Sequence, residues 1–191
     1  MGRSGASVQL DERKALLAAF AQLARRASCV YVRCFAYARL EASVRACSGI
    51  LAAKGIVEGA AMRIGFIGFG NMASAMADGW IAAGVDAGRM SACAGHFDAL
   101  RERCEARGMT ACSGAAEVVA ASDLLIVAVK PHLIAEVVGP LADELSGKAV
   151  LSVAWGWDCA KWEELLPGVA HLSCVPNTPV SVNEGVIAVE R

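Results

Sequence analysis

The chain predicts an α/β fold: a doubly wound, mostly parallel sheet over residues 62–191, preceded by a helical N-terminal extension. Three observations predict it. From Met62 onward, short apolar runs alternate with stretches of helical spacing. A parallel sheet with right-handed crossover helices reads this way in sequence. The run Leu124-Leu125-Ile126-Val127-Ala128-Val129 is apolar throughout, as a central strand covered by helices on both faces must be. The first apolar run passes directly into glycines at Gly68 and Gly70.

Each element follows in order. Residues 63–68 read as the first buried strand. Residues 72–83 have helical spacing and stop before Gly84, a residue suited to the position after a helix end. Residues 90–94 form a second short strand, and 97–107 a charged, surface-facing helix ending at Gly108. Residues 109–112 read as a third strand and 115–121 as a short helix, followed by the central strand 124–129. A helix is expected over 132–145, kinked or broken at Pro140, whose ring removes a backbone donor. Residues 149–154 make another strand, 159–166 a helix, and 170–175 a last parallel strand.

Residues 1–61 stand outside this alternation. They offer an amphipathic helix over 12–23 and a second over 29–53, broken near Gly49. They carry nine Lys and Arg against four Asp and Glu, whereas residues 62–191 carry nine against fifteen. Three readings fit this break: a transit peptide, a small helical partner, or translation from a start codon placed too early. The last is favoured, because Glu58-Gly59 codons contain a purine-rich stretch just ahead of Met62, as a bacterial start site would.

Composition narrows the function. The chain has 191 residues, 56% of them hydrophobic and 19% charged, with a mean hydropathy of +0.47. That is ample for a packed core. A net charge of −1 argues against nucleic acid as a partner, since phosphate binding needs a basic surface. No apolar run approaches the ~20 residues that cross a bilayer. The segment 15–24 has the composition of a signal-peptide core, but acids precede it, arginines follow it, and no cleavage site appears. The start M-G-R-S-G-A lacks the Ser or Thr of a myristoylation site. Eight cysteines, at 29, 34, 47, 93, 104, 112, 159 and 174, form no C-x-x-C pair, so no metal site is expected. They read as reduced thiols of a cytoplasmic protein, with Cys93 and Cys174 acting as small apolar residues in strands.

Three motifs carry chemistry. The first, Gly68-Phe69-Gly70-Asn71-Met72-Ala73, fits G-x-G-x-x-G/A and lies between a strand and a helix. That is the context of a Rossmann-type dinucleotide site. The first glycine permits the turn, the second lets the backbone approach a pyrophosphate, and the small residue packs helix on sheet. At the end of the second strand stand Ala94-Gly95-His96-Phe97, with Asp98 already inside the helix start. No acid is placed there to hold the ribose hydroxyls of NAD, which favours NADP (NADPH) while leaving NAD open. The second motif, Ala128-Val129-Lys130-Pro131-His132, lies at the carboxyl end of the central strand, where such sheets bind ligands. Lys130 is either a site residue or a solvated strand-end lysine, and His132 reads as structural. The third, Val175-Pro176-Asn177-Thr178-Pro179, is a turn made rigid by two prolines. It either places a nicotinamide or substrate or is a plain structural turn.

Taken together, I-G-F-I-G-F-G-N-M-A-S-A-M, A-V-K-P-H, L-S-V-A-x-G and V-P-N-T-P-V-S-V-N-E-G, in that order from Met62 to Ala188, resemble the cofactor-binding domain of the pyrroline-5-carboxylate reductase family. The resemblance implies NAD(P)H-dependent reduction of 1-pyrroline-5-carboxylate to proline, the last step of proline biosynthesis. It implies that Ile67, Gly68, Phe69, Gly70, Asn71 and Met72 hold the pyrophosphate. His96 would contact the adenosine ribose or its phosphate. Ala128, Val129, Lys130 and Pro131, with Ala154, Trp155 and Gly156, would line the nicotinamide side, and the turn Pro176, Asn177, Thr178 and Pro179 would stand on the substrate side. No residue is singled out as catalytic. The chain departs from the family at Trp155, where a small residue is usual, and at Ser173 and Val175, where Arg and Met are common. The family also continues into a helical domain that dimerises and supplies most of the substrate pocket. A chain ending at Arg191 is therefore expected to be the cofactor domain, homo-oligomeric by family but without its dimerisation part, and weakly active or inactive alone. The alternatives are a non-catalytic NADP-binding module, or another Rossmann reductase of the β-hydroxyacid dehydrogenase or F420-dependent NADP reductase type.

Overall fold

The computed structural model describes residues 62–189. The two helices expected within 1–61 lie outside the described residues. Seven strands form one sheet in the order β3-β2-β1-β4-β5-β6-β7. They are β1 (Ile64–Ile67), β2 (Met90–Cys93), β3 (Thr110–Ala111), β4 (Leu124–Val127), β5 (Ala149–Ser152), β6 (Ala170–Pro176) and β7 (Ile187–Val189). The first six are parallel and β7 runs antiparallel to β6. The order of the first six strands is that of a doubly wound dinucleotide fold, with the reversal point between β1 and β4.

Among the described residues five α-helices cover the sheet: α1 (Asn71–Ala82), α2 (Phe97–Glu105), α3 (Ala115–Ala121), α4 (Ile134–Val138) and α5 (Cys159–Leu165). Alternation along each strand divides the core into two layers. Ile64, Phe66, Leu124 and Ile126 pack with Met76 and Trp80 of α1 and Leu100 of α2. Ile67, Leu125 and Val127 pack with Val118 and Val119 of α3, Ile134 and Val138 of α4, and Trp162 of α5. Full burial of such side chains contributes about 1.5–3 kcal/mol each. Gly65 takes the second face because a Cβ there would lie 2.4 Å from Ser122 Oγ and 2.5 Å from Val118 Cγ1.

The structure differs from the sequence reading in four places. The third strand is two residues long rather than four. β4 ends at Val127 and β5 at Ser152, two residues early in each case, because the chain leaves the ladder to form the loops of the site. The helix expected over 132–145 is reduced to α4 between two 3-10 turns, Pro131–Leu133 and Gly139–Leu141. Pro140, in the second turn, cannot donate a helical bond. Finally, β7 had no counterpart in the sequence reading.

A clamp fixes the start of the two central strands. The Arg63 amide and guanidinium both donate to the Asp123 carboxylate, at 2.8–3.2 Å, and the amides of Asp123 and Leu124 return bonds to the Arg63 carbonyl. The guanidinium bond, more than any other contact, holds the Asp123 carboxyl below its ordinary range. A depressed carboxylate contributes stability that is present above its unfolded pKa and is lost as pH falls through the folded value. Acid unfolding followed by circular dichroism should therefore show Asp123→Asn losing less stability than the parent as pH falls below about 4. Parallel acid profiles would remove the clamp from the stability account.

Candidate dinucleotide site

The glycine turn follows from backbone geometry. Gly68 has φ +90°, a left-handed conformation that favours glycine, and a Cβ there would lie 2.9 Å from the Ala128 carbonyl carbon and oxygen. The turn is pinned by the Gly68 amide donating to Cys93 O and the Ala128 amide donating to Ile67 O, at 3.0 and 2.9 Å. β1, β2 and β4 are thus held together where α1 begins.

Gly70 is different. Its backbone is extended, with φ −81° and ψ −166°, it is exposed, and a Cβ there would meet nothing within 4 Å. It is the N-cap of α1, yet no side chain caps that end, and no acid lies in the first turn. The first amides of a helix have no intrahelical partner, and the helix dipole makes this end attractive to anions. An open approach, uncapped donors and no competing carboxylate are what a pyrophosphate requires. The residues present therefore fit a dinucleotide.

The turn has a support that the sequence motifs did not reveal. Arg103 of α2 donates to the Phe69 carbonyl at 2.8 Å and to Ser74 Oγ at 3.2 Å. Arg107, one helical turn later, forms a two-pronged bond with Asp78 of α1 at 2.6 and 2.9 Å, which raises the guanidinium pKa. Both guanidinium carbons stand 5.9 Å from the Phe69 ring centroid. The Phe69 side chain is buried in the core, so this residue meets a ligand only through its backbone. Arg103 and Arg107 looked like ordinary surface cations of a charged helix; nothing in the spacing tied them to a loop some thirty residues earlier.

His96 is exposed at the N-cap of α2, beside exposed Gly95, and its side chain makes no capping bond. Asp98, two residues further and in the first turn of α2, is exposed and 3.9 Å from Arg101. The residue after β2 is thus accessible from the same edge of the sheet as Gly70.

The other two motifs leave the carboxyl ends of adjacent strands. Ala128 and Val129 are half-buried, whereas Lys130 and Pro131 are exposed. Ala154 is half-buried, Trp155 is 76% exposed, and Gly156 turns the loop with φ +80°. The bulk of Trp155 therefore projects away from the protein interior. The two loops are joined by Trp157, whose indole N–H donates to the Pro131 carbonyl at 2.8 Å. The Trp157 carbonyl in turn accepts from Ser173 Oγ of β6 at 2.7 Å. Neither residue belonged to the motifs, although Ser173 marks one departure from the family pattern.

The Pro176-Asn177-Thr178-Pro179 stretch enters a 3-10 turn, Thr178–Val182, that packs on α1. Pro176 is buried while Asn177, Thr178 and Pro179 are exposed. Asn177 closes the turn: its amide donates to Val186 O at 3.2 Å, and its Oδ1 accepts from the Val186 amide at 2.8 Å. The structural reading of this motif thus has direct geometric support. Its exposed Thr178 nonetheless stays at the carboxyl-end edge with the other loops.

The thiols of Cys93, Cys104, Cys112 and Cys174 are buried, and burial pushes each of their pKa values up, that of Cys174 to about 12. They behave as apolar core residues. Among the described residues, no three His, Cys, Asp or Glu side chains gather as a metal site, and no helix is long and apolar enough to cross a membrane.

Residues 63–156 match the family model described as NADP oxidoreductase coenzyme F420-dependent. A pyrroline-5-carboxylate reductase from Treponema pallidum is 40% identical over 137 residues, covering 68% of this chain and 51% of that protein. The structure of a pyrroline-5-carboxylate reductase from Coxiella burnetii superposes with a TM-score of 0.63 at 33% identity, covering 67% of this chain and 48% of that one. A Plasmodium falciparum pyrroline carboxylate reductase with NADP bound superposes with a TM-score of 0.59 at 25% identity, covering 68% of this chain and 48% of that one. The chain spans about half the length of the curated relatives it matches.

Proposed function

We propose that this chain, which belongs to the pyrroline-5-carboxylate reductase family through its nucleotide-binding half, binds NADPH and serves the reduction of 1-pyrroline-5-carboxylate to proline. The observation that carries the reading is the start of α1: an open, uncapped helix end behind Gly70, free of acids, on a turn that Gly68 alone permits. Residues 67–72 hold the pyrophosphate through backbone amides. His96 meets the adenosine ribose or its phosphate, and with no acid at the end of β2, NADPH is preferred to NADH. Residues 128–131 and 154–156 receive the nicotinamide end, and the 176–179 turn faces the substrate. When bound, the cofactor supplies a hydride. The chain's own work is orientation, together with exclusion of water from the ring edge, and both are paid for in binding energy.

The match covers about half of each curated relative, and residues 62–189 are read as the cofactor-binding share of the reductase. We place the chain in the cytoplasm on the reading of its cysteines as reduced thiols.

Calorimetric titration of the purified chain tests the reading, with NADPH expected to bind at one site and more tightly than NADH. At a hundredfold excess over Kd the cofactor should stabilise the fold by about 2.7 kcal/mol, visible as a raised Tm. Absence of NADPH binding would refute the reading, and rapid turnover of 1-pyrroline-5-carboxylate by this chain alone would refute the division of labour. The family model's description supports one rival, an F420-dependent NADP reductase. Oxidation of reduced F420 by the chain with NADP would establish that rival instead.

A further inference from the structure

The loops at the carboxyl ends of β4 and β5 are separate in sequence, yet one side chain spans them. Trp157 is half-buried, with its ring 5.2 Å from the ring of fully buried Trp162. Its indole N–H reaches the Pro131 carbonyl at 2.8 Å, an oxygen that also accepts the Ile134 amide. On the other side, the Trp157 carbonyl accepts from Ser173 Oγ at 2.7 Å. Two residues further, the Cys159 carbonyl lies 3.2 Å from His171 Nε2, and the Asp158 carboxylate caps α5 by accepting from the Lys161 amide at 3.0 Å. Ser173 and His171 are alternate residues of β6 and so share one face of the sheet. The 157–159 segment is thus bonded to β6 at two points and to the β4 loop at a third, whereas Trp155 and Gly156 project beyond these anchors.

We propose that Trp157 is a positioning residue: its indole N–H, braced by Ser173, sets the spacing between the β4 and β5 loops and thereby the slot that receives the nicotinamide end of the cofactor. The inference rests on the NADPH reading given above. The two loops flank the carboxyl ends of neighbouring parallel strands, and ligands of doubly wound sheets enter there. A tryptophan ring packed at a tilt against the buried Trp162 ring and held by its N–H bond can fix that gap at little entropic cost, because its rotamer is already chosen.

The test separates the two halves of the cofactor. Trp157→Phe keeps an aromatic ring against Trp162 and removes only the N–H. Ser173→Ala removes the brace from the other side. Calorimetric titration of the full chain uses two probes, NADPH and adenosine 2′,5′-bisphosphate, which has the adenosine end but no nicotinamide. Both variants should bind NADPH about 5- to 10-fold more weakly, the worth of one hydrogen bond, and bind the bisphosphate as the parent does. Unchanged NADPH affinity in both variants would overturn the proposal, as would equal losses for both probes, which signify general loosening. A parent that binds neither probe would overturn the dinucleotide reading itself, and the positioning role with it.

Discussion

Gly79→Ala is expected to destabilise the domain by about 2–3 kcal/mol, although the substitution normally strengthens a helix. Gly79 lies inside α1, where alanine should gain about 1 kcal/mol from helix propensity. The contact reverses the sign. A Cβ at this position would lie 2.1 Å from the Val180 carbonyl oxygen and 3.1 Å from its carbon. Those are backbone atoms of the 3-10 turn after β6, so no rotamer change relieves the overlap. The turn is itself braced, since the Val180 amide donates to Asn177 O at 3.2 Å and the Glu184 amide to Pro179 O at 3.1 Å. Overpacking costs about 1–3 kcal/mol and occasionally more; here a whole backbone segment must move, which puts the cost at about 3–4 kcal/mol before the helix gain is subtracted. A fall in Tm of roughly 10 °C by circular dichroism is the expected result. A melt at or above the parental temperature would show that the turn yields freely. The same close approach explains why the P-N-T-P segment sits at the edge of the site: it is seated on α1, the helix whose other end forms the glycine turn.

What could be read from the sequence was what is local. The pairing of a glycine turn with its strand and helix is written within a dozen residues, so the turn at Gly68 and the close packing of Ala73 could be read directly. The doubly wound, mostly parallel class of the sheet followed from the β-α alternation and the handedness of crossovers. The strand ends did not, because Ala128, Val129, Val153 and Ala154 remain apolar after the ladder stops and the loops begin. β7 escaped because three residues carry no periodic signal, and its pairing depends on a turn closed by Asn177 and Val186. Trp157 and Arg103 were invisible for a related reason: each acts on a loop brought near by the sheet, some thirty residues away in the chain. Gly79 was read as one helical position among twelve, since only the tertiary contact with Val180 shows that no larger residue fits.

Gly70→Asp should separate the fold from the site, leaving stability unchanged or slightly raised while NADPH affinity falls at least about 100-fold. The backbone of Gly70 lies in the extended region that any L-residue adopts, and an added Cβ meets nothing. The fold therefore has no need of glycine here, in contrast to Gly68, whose left-handed φ and closeness to Ala128 make its replacement a defect of folding. Aspartate is also among the best N-cap residues, and its charge suits the helix dipole, so a gain of about 0.5–1 kcal/mol is reasonable. What it takes from the site is the same set of donors. The carboxylate would accept the first-turn amides of α1 that the pyrophosphate is proposed to use, and would place a negative charge beside the phosphates. Losing two charge-assisted hydrogen bonds at about 1.5–3 kcal/mol each amounts to a hundredfold or more in affinity. Thermal melting and calorimetric titration of the same preparation decide the matter. A variant that melts like the parent and still binds NADPH like the parent would place the pyrophosphate somewhere other than the start of α1.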